Sequence, residues 1–134
     1  MTAIRVLLVD DEVDFTAPLA KRLTRQGLNV VRASSAAEAL GVLGNMEMDV
    51  VLLDIRMPGG DGVNTLGEIK QLYPHVGVVM LTAHVESNIV ISCLGMGAFS
   101  YLIKPVAVEE LVDTIQRAAK RKNTLAGEAR PEKS

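Results

Sequence analysis

Five polar residues stand directly after short apolar runs: Asp10 and Asp11 after Ile4–Val9, Asp54 after Val50–Leu53, Thr82 after Val76–Leu81 and Lys104 after Ser100–Ile103. If those runs are parallel strands joined by right-handed crossovers, such residues gather at the carboxyl edge of one sheet, where open α/β sheets bind ligands. Three carboxylates crowded there repel one another and raise each other's pKa unless a cation shares the site. An all-oxygen donor set suits Mg²⁺ or Mn²⁺, and the sequence has no Cys/His cluster at the spacing Zn²⁺ needs. A carboxylate in such a site can attack phosphorus, provided the attacking and leaving oxygens are in line and the charge on the transferring group is neutralised. Lys104 supplies a point charge for that purpose, and the Thr82 hydroxyl supplies a hydrogen bond. Each residue alone is an ordinary surface group; their shared placement carries the information.

The elements that must position them follow from periodicity. Apolar runs at Ile4–Val9, Asn29–Ala33, Val50–Leu53, Val76–Leu81 and Ser100–Ile103 alternate with longer segments of helical spacing, the pattern of a parallel sheet with helical crossovers. The third and fourth runs are unbroken apolar stretches, which predicts central strands buried on both faces. The first helix carries Phe15, Leu19 and Leu23 at four-residue steps and ends near Gly27. Pro18 lacks an amide hydrogen, so that helix should start late with Asp14 as its cap, or bend near Pro18. Ser35 and Glu38 have the spacing of a capping box that opens the second helix. Asp61 and Ser87 can begin the third and fourth, and Val63, Leu66 and Ile69 should face the sheet. The fifth helix has Glu109 and Glu110 in its first turn and Lys120, Arg121 and Lys122 in its last, with Leu111, Ile115 and Ala118 turned inward.

With 134 residues the chain fits one domain, residues 1–122, followed by a flexible tail or the start of a linker over 123–134. Hydrophobic residues make up 49% of the chain and aromatic ones only 3%, so aliphatic side chains and methionine must build the core. Fourteen basic against sixteen acidic residues, a formal net charge of −2, provide no general field for nucleic acid or an anionic membrane. The single Cys93 cannot form an internal disulfide and reads as a small buried hydrophobe. No apolar leader or membrane-length run is visible, so the expected location is the cytoplasm.

In order along the chain stand Asp10-Asp11-Glu12, Asp54, Met57-Pro58-Gly59-Gly60-Asp61-Gly62, Thr82-Ala83, Gly97-Ala98 and Tyr101-Leu102-Ile103-Lys104-Pro105. This set resembles the receiver domain of two-component response regulators over roughly residues 4 to 120. The resemblance implies a flavodoxin-like (βα)5 fold, a doubly wound parallel five-stranded sheet of strand order 2-1-3-4-5. It implies that Asp54 is the phosphoacceptor, that Asp11 is a direct Mg²⁺ ligand with Asp10 assisting, and that the Arg56 backbone carbonyl completes the protein ligands. Lys104 would hold the phosphoryl oxygens, Thr82 would swing toward them, and Tyr101 would rotate inward as it does. The Lys104–Pro105 peptide is expected to be cis. The implied donor is a sensor histidine kinase or histidine phosphotransfer protein. The implied receiver of the signal is an effector protein or an output domain, with a phosphorylation-dependent homodimer through the fourth helix, fifth strand and fifth helix. Such a chain is a switch that catalyses only its own phosphorylation and dephosphorylation.

Arg56 and His84 flank the expected phosphoryl position, and either reads as a solvated side chain or as a group that tunes the phosphoryl lifetime. His75, after Pro74, reads as an exposed loop residue, and Met46, Met48 and Met57 as packing residues. Two rival readings remain at this level. A haloacid-dehalogenase-type phosphatase would use Asp10 as nucleophile with Glu12 as its acid, but leaves Asp54 without a role. A binding module of the same fold would never be phosphorylated.

Overall fold

Continuous burial of the central strands, on both faces of the sheet, decides the architecture. The computed structural model describes residues 3–57, 60–83 and 87–128, with side chains described over 3–56, 62–83 and 88–121. In chain order the main elements are β1 (Arg5–Val9), α1 (Val13–Arg25), β2 (Asn29–Ala33), α2 (Ala36–Asn45), β3 (Val50–Leu53), α3 (Gly62–Leu72), β4 (Gly77–Thr82), α4 (Ser87–Gly95), β5 (Ser100–Ile103) and α5 (Val108–Glu128). The five strands form one parallel sheet in the order β2-β1-β3-β4-β5, with Val6 level with both Val30 and Val50, and Leu53 level with Met80. Successive strand residues point to opposite faces. Leu7, Val9, Val51, Leu53, Val78 and Met80 pack with Ala39, Leu43, Leu66, Ile69 and Cys93 from α2, α3 and α4. Val6, Leu8, Val50, Leu52, Val79 and Leu81 pack with Leu19, Leu23, Leu111 and Ile115 from α1 and α5. The sheet is thus doubly wound, and each fully buried aliphatic side chain contributes roughly 1.5–3 kcal/mol of transfer free energy.

Two helices end in the same hydrogen-bond pattern. At the end of α1 the Leu28 amide donates to the Leu23 carbonyl (3.3 Å) and the Gly27 amide to Thr24 (3.0 Å), with Gly27 at φ +90°. At the end of α4 the Ala98 amide donates to Cys93 (3.0 Å) and the Gly97 amide to Leu94 (3.1 Å), with Gly97 at φ +108°. Both are Schellman turns, which need a residue tolerant of positive φ. The Gly97-Ala98 pair is therefore a helix stop that launches β5.

Several local expectations change. Helix α1 starts at Val13, with Glu12 as its N-cap, so Asp14 lies in the first turn and is not the cap; Pro18 sits inside the helix. The Glu12 carbonyl accepts from both Phe15 (3.0 Å) and Thr16 (2.9 Å), which sets the start before Asp14 can act. Ser35 Oγ does accept from the Glu38 amide (3.1 Å), but the Glu38 carboxylate reaches one residue further back, to the Ser34 amide (2.7 Å) and hydroxyl (3.0 Å). Helix α5 continues to Glu128, past Lys120-Arg121-Lys122, so residues 123–128 are helical and those three residues do not form its last turn. Met48 is buried, whereas Met46 is exposed. The side chains of Met57, Asp61 and Ser87, and all of Pro58, Gly59, His84 and residues 129–134, lie outside the described residues.

Candidate functional site

The sheet ladder runs slightly past its strand ends and pins the polar residues at one edge. The Asp10 amide donates to Ala33 (3.1 Å), the Asp54 amide to Val9 (3.1 Å) and the Lys104 amide to Thr82 (2.7 Å). Asp10, Asp54 and Thr82 are buried there. The Lys104–Pro105 peptide is cis. Lys104 Nζ lies 2.6 Å from Asp10 Oδ2, 3.2 Å from Glu12 Oε1 and 3.6 Å from Asp54 Oδ2. One ammonium therefore holds together carboxylates from two different strand ends.

Local chain geometry completes the site. Asp10 Oδ1 accepts from the Glu12 amide (3.0 Å), a turn in which an Asp side chain ties the backbone two residues on. Asp54 Oδ1 accepts from the Arg56 amide (3.3 Å) in the same i to i+2 manner. Arg56–Met57 then pairs antiparallel with Gly60–Asp61 as a short ribbon, and the Gly62 amide donates to the Ile55 carbonyl (2.6 Å). A Cβ at Gly62 would overlap the Asp54 carbonyl oxygen and crowd Ile55 Cα, so only glycine lets α3 start this close to the Asp54 backbone.

Burial dominates the electrostatics of Asp54 and raises its pKa, and the charge of Asp10 adds to that. The charge and hydrogen bond of Lys104 and the Arg56 amide oppose it without cancelling it. For Lys104 burial works against the charged form, but its contacts with Asp10, Asp54 and Glu12 outweigh that and raise its pKa. The ammonium is thus firmly charged while Asp54 is held in unfavourable surroundings for a carboxylate, a state that a further cation or a reaction on that oxygen relieves.

Asp10, Glu12 and Asp54 each offer a carboxylate oxygen within 4.8 Å of the others. Three hard oxygen donors and no nitrogen or sulfur fit Mg²⁺. The expected metal residues are therefore only partly gathered: Asp10 and Asp54 are in this group, while Asp11 is exposed and stands outside it. The turn from Asp10 to Glu12 brings Glu12 into this group, a residue that the sequence had marked only by its place in the Asp10-Asp11-Glu12 run and as the acid of the phosphatase reading. Arg56 is exposed beside Asp54, and Tyr101 is exposed on β5 while Thr82 on the neighbouring β4 is fully buried. His84 falls outside the described residues. Phe15, read above only as a core-facing helix residue, has its ring under the Lys104 ammonium, 4.3 Å from Nζ to the ring centroid. Both oxygens of Asp10 are engaged, Oδ2 by Lys104 (2.6 Å) and Oδ1 by the Glu12 amide (3.0 Å).

Residues 6–116 match the family model of the response regulator receiver domain. Among curated proteins, the chain is similar to the DNA-binding transcriptional regulator NtrC of Escherichia coli (strain K12), 39% identical over 113 residues, covering 84% of this chain and 24% of NtrC. It is also similar to the regulatory protein AtoC of the same strain, 39% identical over 119 residues, covering 88% of this chain and 26% of AtoC. The chain spans about a quarter of the length of these relatives. Among solved structures it resembles a CheY-like response regulator receiver domain protein from Methanospirillum hungatei JF-1, with TM-score 0.87, 26% identity, and coverage of 92% of this chain and 98% of that one. It resembles NtrX from Brucella abortus, in complex with ADP, with TM-score 0.89 and 30% identity over 96% of this chain and 30% of that one.

Proposed function

Because the chain belongs to the response regulator receiver domain family, we propose that it accepts a phosphoryl group on Asp54 from a phosphohistidine of a sensor kinase or phosphotransfer protein, and thereby switches a protein-interaction surface. The observation that carries this is the buried Lys104 ammonium, which reaches the carboxylates of both Asp10 and Asp54 at the carboxyl edge of the sheet. In the transfer an Asp54 carboxylate oxygen forms the new P–O bond as the P–N bond of the donor breaks; the imidazole nitrogen keeps the electron pair and takes up a proton. Lys104 neutralises charge on the transferring oxygens, and the Thr82 hydroxyl donates to one of them. Asp10, Asp54, Asp11 and the Arg56 carbonyl are the proposed Mg²⁺ ligands, with Glu12 already gathered beside them. When bound, Mg²⁺ neutralises phosphoryl charge and relieves the repulsion among these carboxylates.

The new phosphoryl group brings about −1.5 to −2 charges to this edge. Lys104 and Thr82 reorganise around it, and Tyr101, now exposed, turns into the space that Thr82 vacates. Moving such a switch from 1:99 to 99:1 takes roughly 5.5 kcal/mol of differential stabilisation, within reach of a few charge-assisted hydrogen bonds. Loss of the phosphoryl group reverses the chemistry: water attacks phosphorus, the P–O bond to Asp54 breaks and phosphate leaves. The chain catalyses these steps on itself only. Its readout is an effector protein or an output domain such as the larger relatives have room for, with a homodimer through α4, β5 and α5 as one form of the active surface. Exposed Ile91, Leu94, Tyr101 and Ile103 on α4 and β5 support that. Among the described residues no helix is long and apolar enough to cross a membrane, which agrees with a cytoplasmic place beside a cytoplasmic kinase domain.

Intact mass after incubation with a small acyl phosphate and Mg²⁺ tests the reading. A single phosphoryl adduct that requires Mg²⁺ and is absent in Asp54→Asn is the expected result. An adduct that survives in Asp54→Asn and disappears in Asp10→Asn would overturn it in favour of a phosphatase-like nucleophile. No adduct with either an acyl phosphate or a phosphohistidine donor would overturn it in favour of a silent binding module.

A further inference from the structure

Lys104 is enclosed on four sides, and only three of them are carboxylates. Asp10 and Asp54 hold Nζ from the strand ends and Glu12 from the start of α1. The fourth is the face of Phe15, one turn further along α1, with the ring centroid 4.3 Å from Nζ. Only 9% of the Lys104 side chain is exposed, so little solvent competes for the ammonium. The Phe15 ring is itself half-buried against the cluster that includes Leu19, Leu23 and Leu111, so it is a fixed wall. Glu12, by contrast, is 62% exposed and can draw the ammonium outward. An aromatic face attracts a cation through its quadrupole, and most strongly where water is excluded.

We propose that Phe15 is a positioning residue for phosphoryl transfer: its ring face confines the Lys104 ammonium between Asp10 and Asp54 and keeps it from following Glu12 toward solvent. This rests on Asp54 being the phosphoacceptor. As the Asp54 oxygen bonds to phosphorus and the donor's leaving group departs with its electron pair, negative charge builds on the transferring oxygens within reach of Nζ. A lysine free to swing outward meets that charge less often. Phe15 touches neither the carboxylates nor the phosphoryl group in this scheme and acts only through Lys104.

Phosphorylation by acetyl phosphate and Mg²⁺, followed by intact mass, should be about fivefold slower in Phe15→Leu, which keeps an apolar side chain but removes the ring. Phe15→Tyr should recover most of the rate, because the ring face is kept. The second readout is spectroscopic and uses no phosphodonor. In the natural chain the Lys104 ε-methylene proton resonances, assigned by their loss in Lys104→Arg, should be displaced upfield by the ring; they should stay so in Phe15→Tyr and return to the ordinary lysine position in Phe15→Leu. A cooperative urea transition in each variant establishes that it is folded. A folded Phe15→Leu that labels at the natural rate would overturn the proposal, as would a Phe15→Tyr as slow as Phe15→Leu. Undisplaced Lys104 resonances in the natural chain would overturn it too. If the natural chain takes no label while its Lys104 resonances are displaced, the phosphoacceptor reading fails and the ring contact stands.

Discussion

Replacing Asp54 with asparagine should make the folded chain more stable in the absence of metal. The two nearest charges oppose each other. Lys104 Nζ at 3.6 Å attracts the Asp54 carboxylate by roughly 4.6 kcal/mol at an effective dielectric constant of about 20. An Asp10 oxygen within 4.8 Å repels it by roughly 3.5 kcal/mol on the same scale. Glu12 is mostly exposed, and its repulsion is screened to about 1 kcal/mol. These contributions nearly cancel, which leaves burial of the carboxylate to decide the sign, and burial is also what chiefly raises its pKa. Asparagine has the same shape, can still accept from the Arg56 amide and carries no charge to desolvate. Asp54→Asn should therefore gain about 1–2 kcal/mol in urea unfolding at pH 7.5 with a chelator present, or roughly 3–6 °C in Tm. The pH dependence fixes the cause. A carboxyl whose folded pKa is raised stabilises the fold below its unfolded value and loses that contribution as pH rises through the folded value. The advantage of Asp54→Asn should accordingly vanish below the ordinary carboxylate value of 3.8 and grow above it, through the folded pKa. Millimolar Mg²⁺ should narrow the gap by binding the natural chain more tightly than the variant. A metal-free Asp54→Asn that is no more stable than the natural chain at pH 7.5 would refute the reasoning.

Other perturbations probe the same edge. Lys104→Met leaves the buried Asp10 and Asp54 carboxylates without their cation, so metal-free stability at neutral pH should fall by roughly 3 kcal/mol in urea titration, with the loss shrinking at acid pH. The same variant should slow adduct formation by about 100-fold in the mass assay. Gly62→Ala places a methyl group against the Asp54 carbonyl, so the backbone there must shift; we expect a stability loss of about 2–4 kcal/mol and slower labelling, read by urea unfolding and intact mass. Arg56, exposed two residues after Asp54, should shield the phosphoryl group from water, so Arg56→Ala should speed loss of the adduct several-fold in a mass time course.

What sequence reasoning reached, and what it missed, divides along the range of the interactions involved. The parallel sheet with helical crossovers and its buried central strands were legible because short unbroken apolar runs alternate with helical spacing, whereas the strand order 2-1-3-4-5 came from the resemblance to the receiver family and not from any local pattern. The gathering of Asp10, Asp54, Thr82 and Lys104 at one edge followed from the right-handed crossover rule, since each stands at or just past the carboxyl end of a parallel strand. Details set by side-chain bonding to nearby backbone were harder. Asp14 has the right residue type for a cap, yet the turn from Asp10 to Glu12 starts α1 before it. Glu38 has the right spacing for a capping box and its amide donates to Ser35 Oγ, yet its carboxylate accepts from Ser34 and not from the Ser35 amide. In the same short turn Glu12 lies beside Asp10 and Asp54 while Asp11 stays exposed, an arrangement that follows the path of the backbone between β1 and α1. Phe15 shows the other limit. Its four-residue spacing with Leu19 and Leu23 marks it as a core residue, and it is one on its inner side, packed against their cluster. That its ring also lies beneath Lys104 depends on how α1 and the end of β5 come together across the sheet, which no local pattern encodes. A helix face read only as packing can thus hold the charge on which the chemistry of the neighbouring strand end depends.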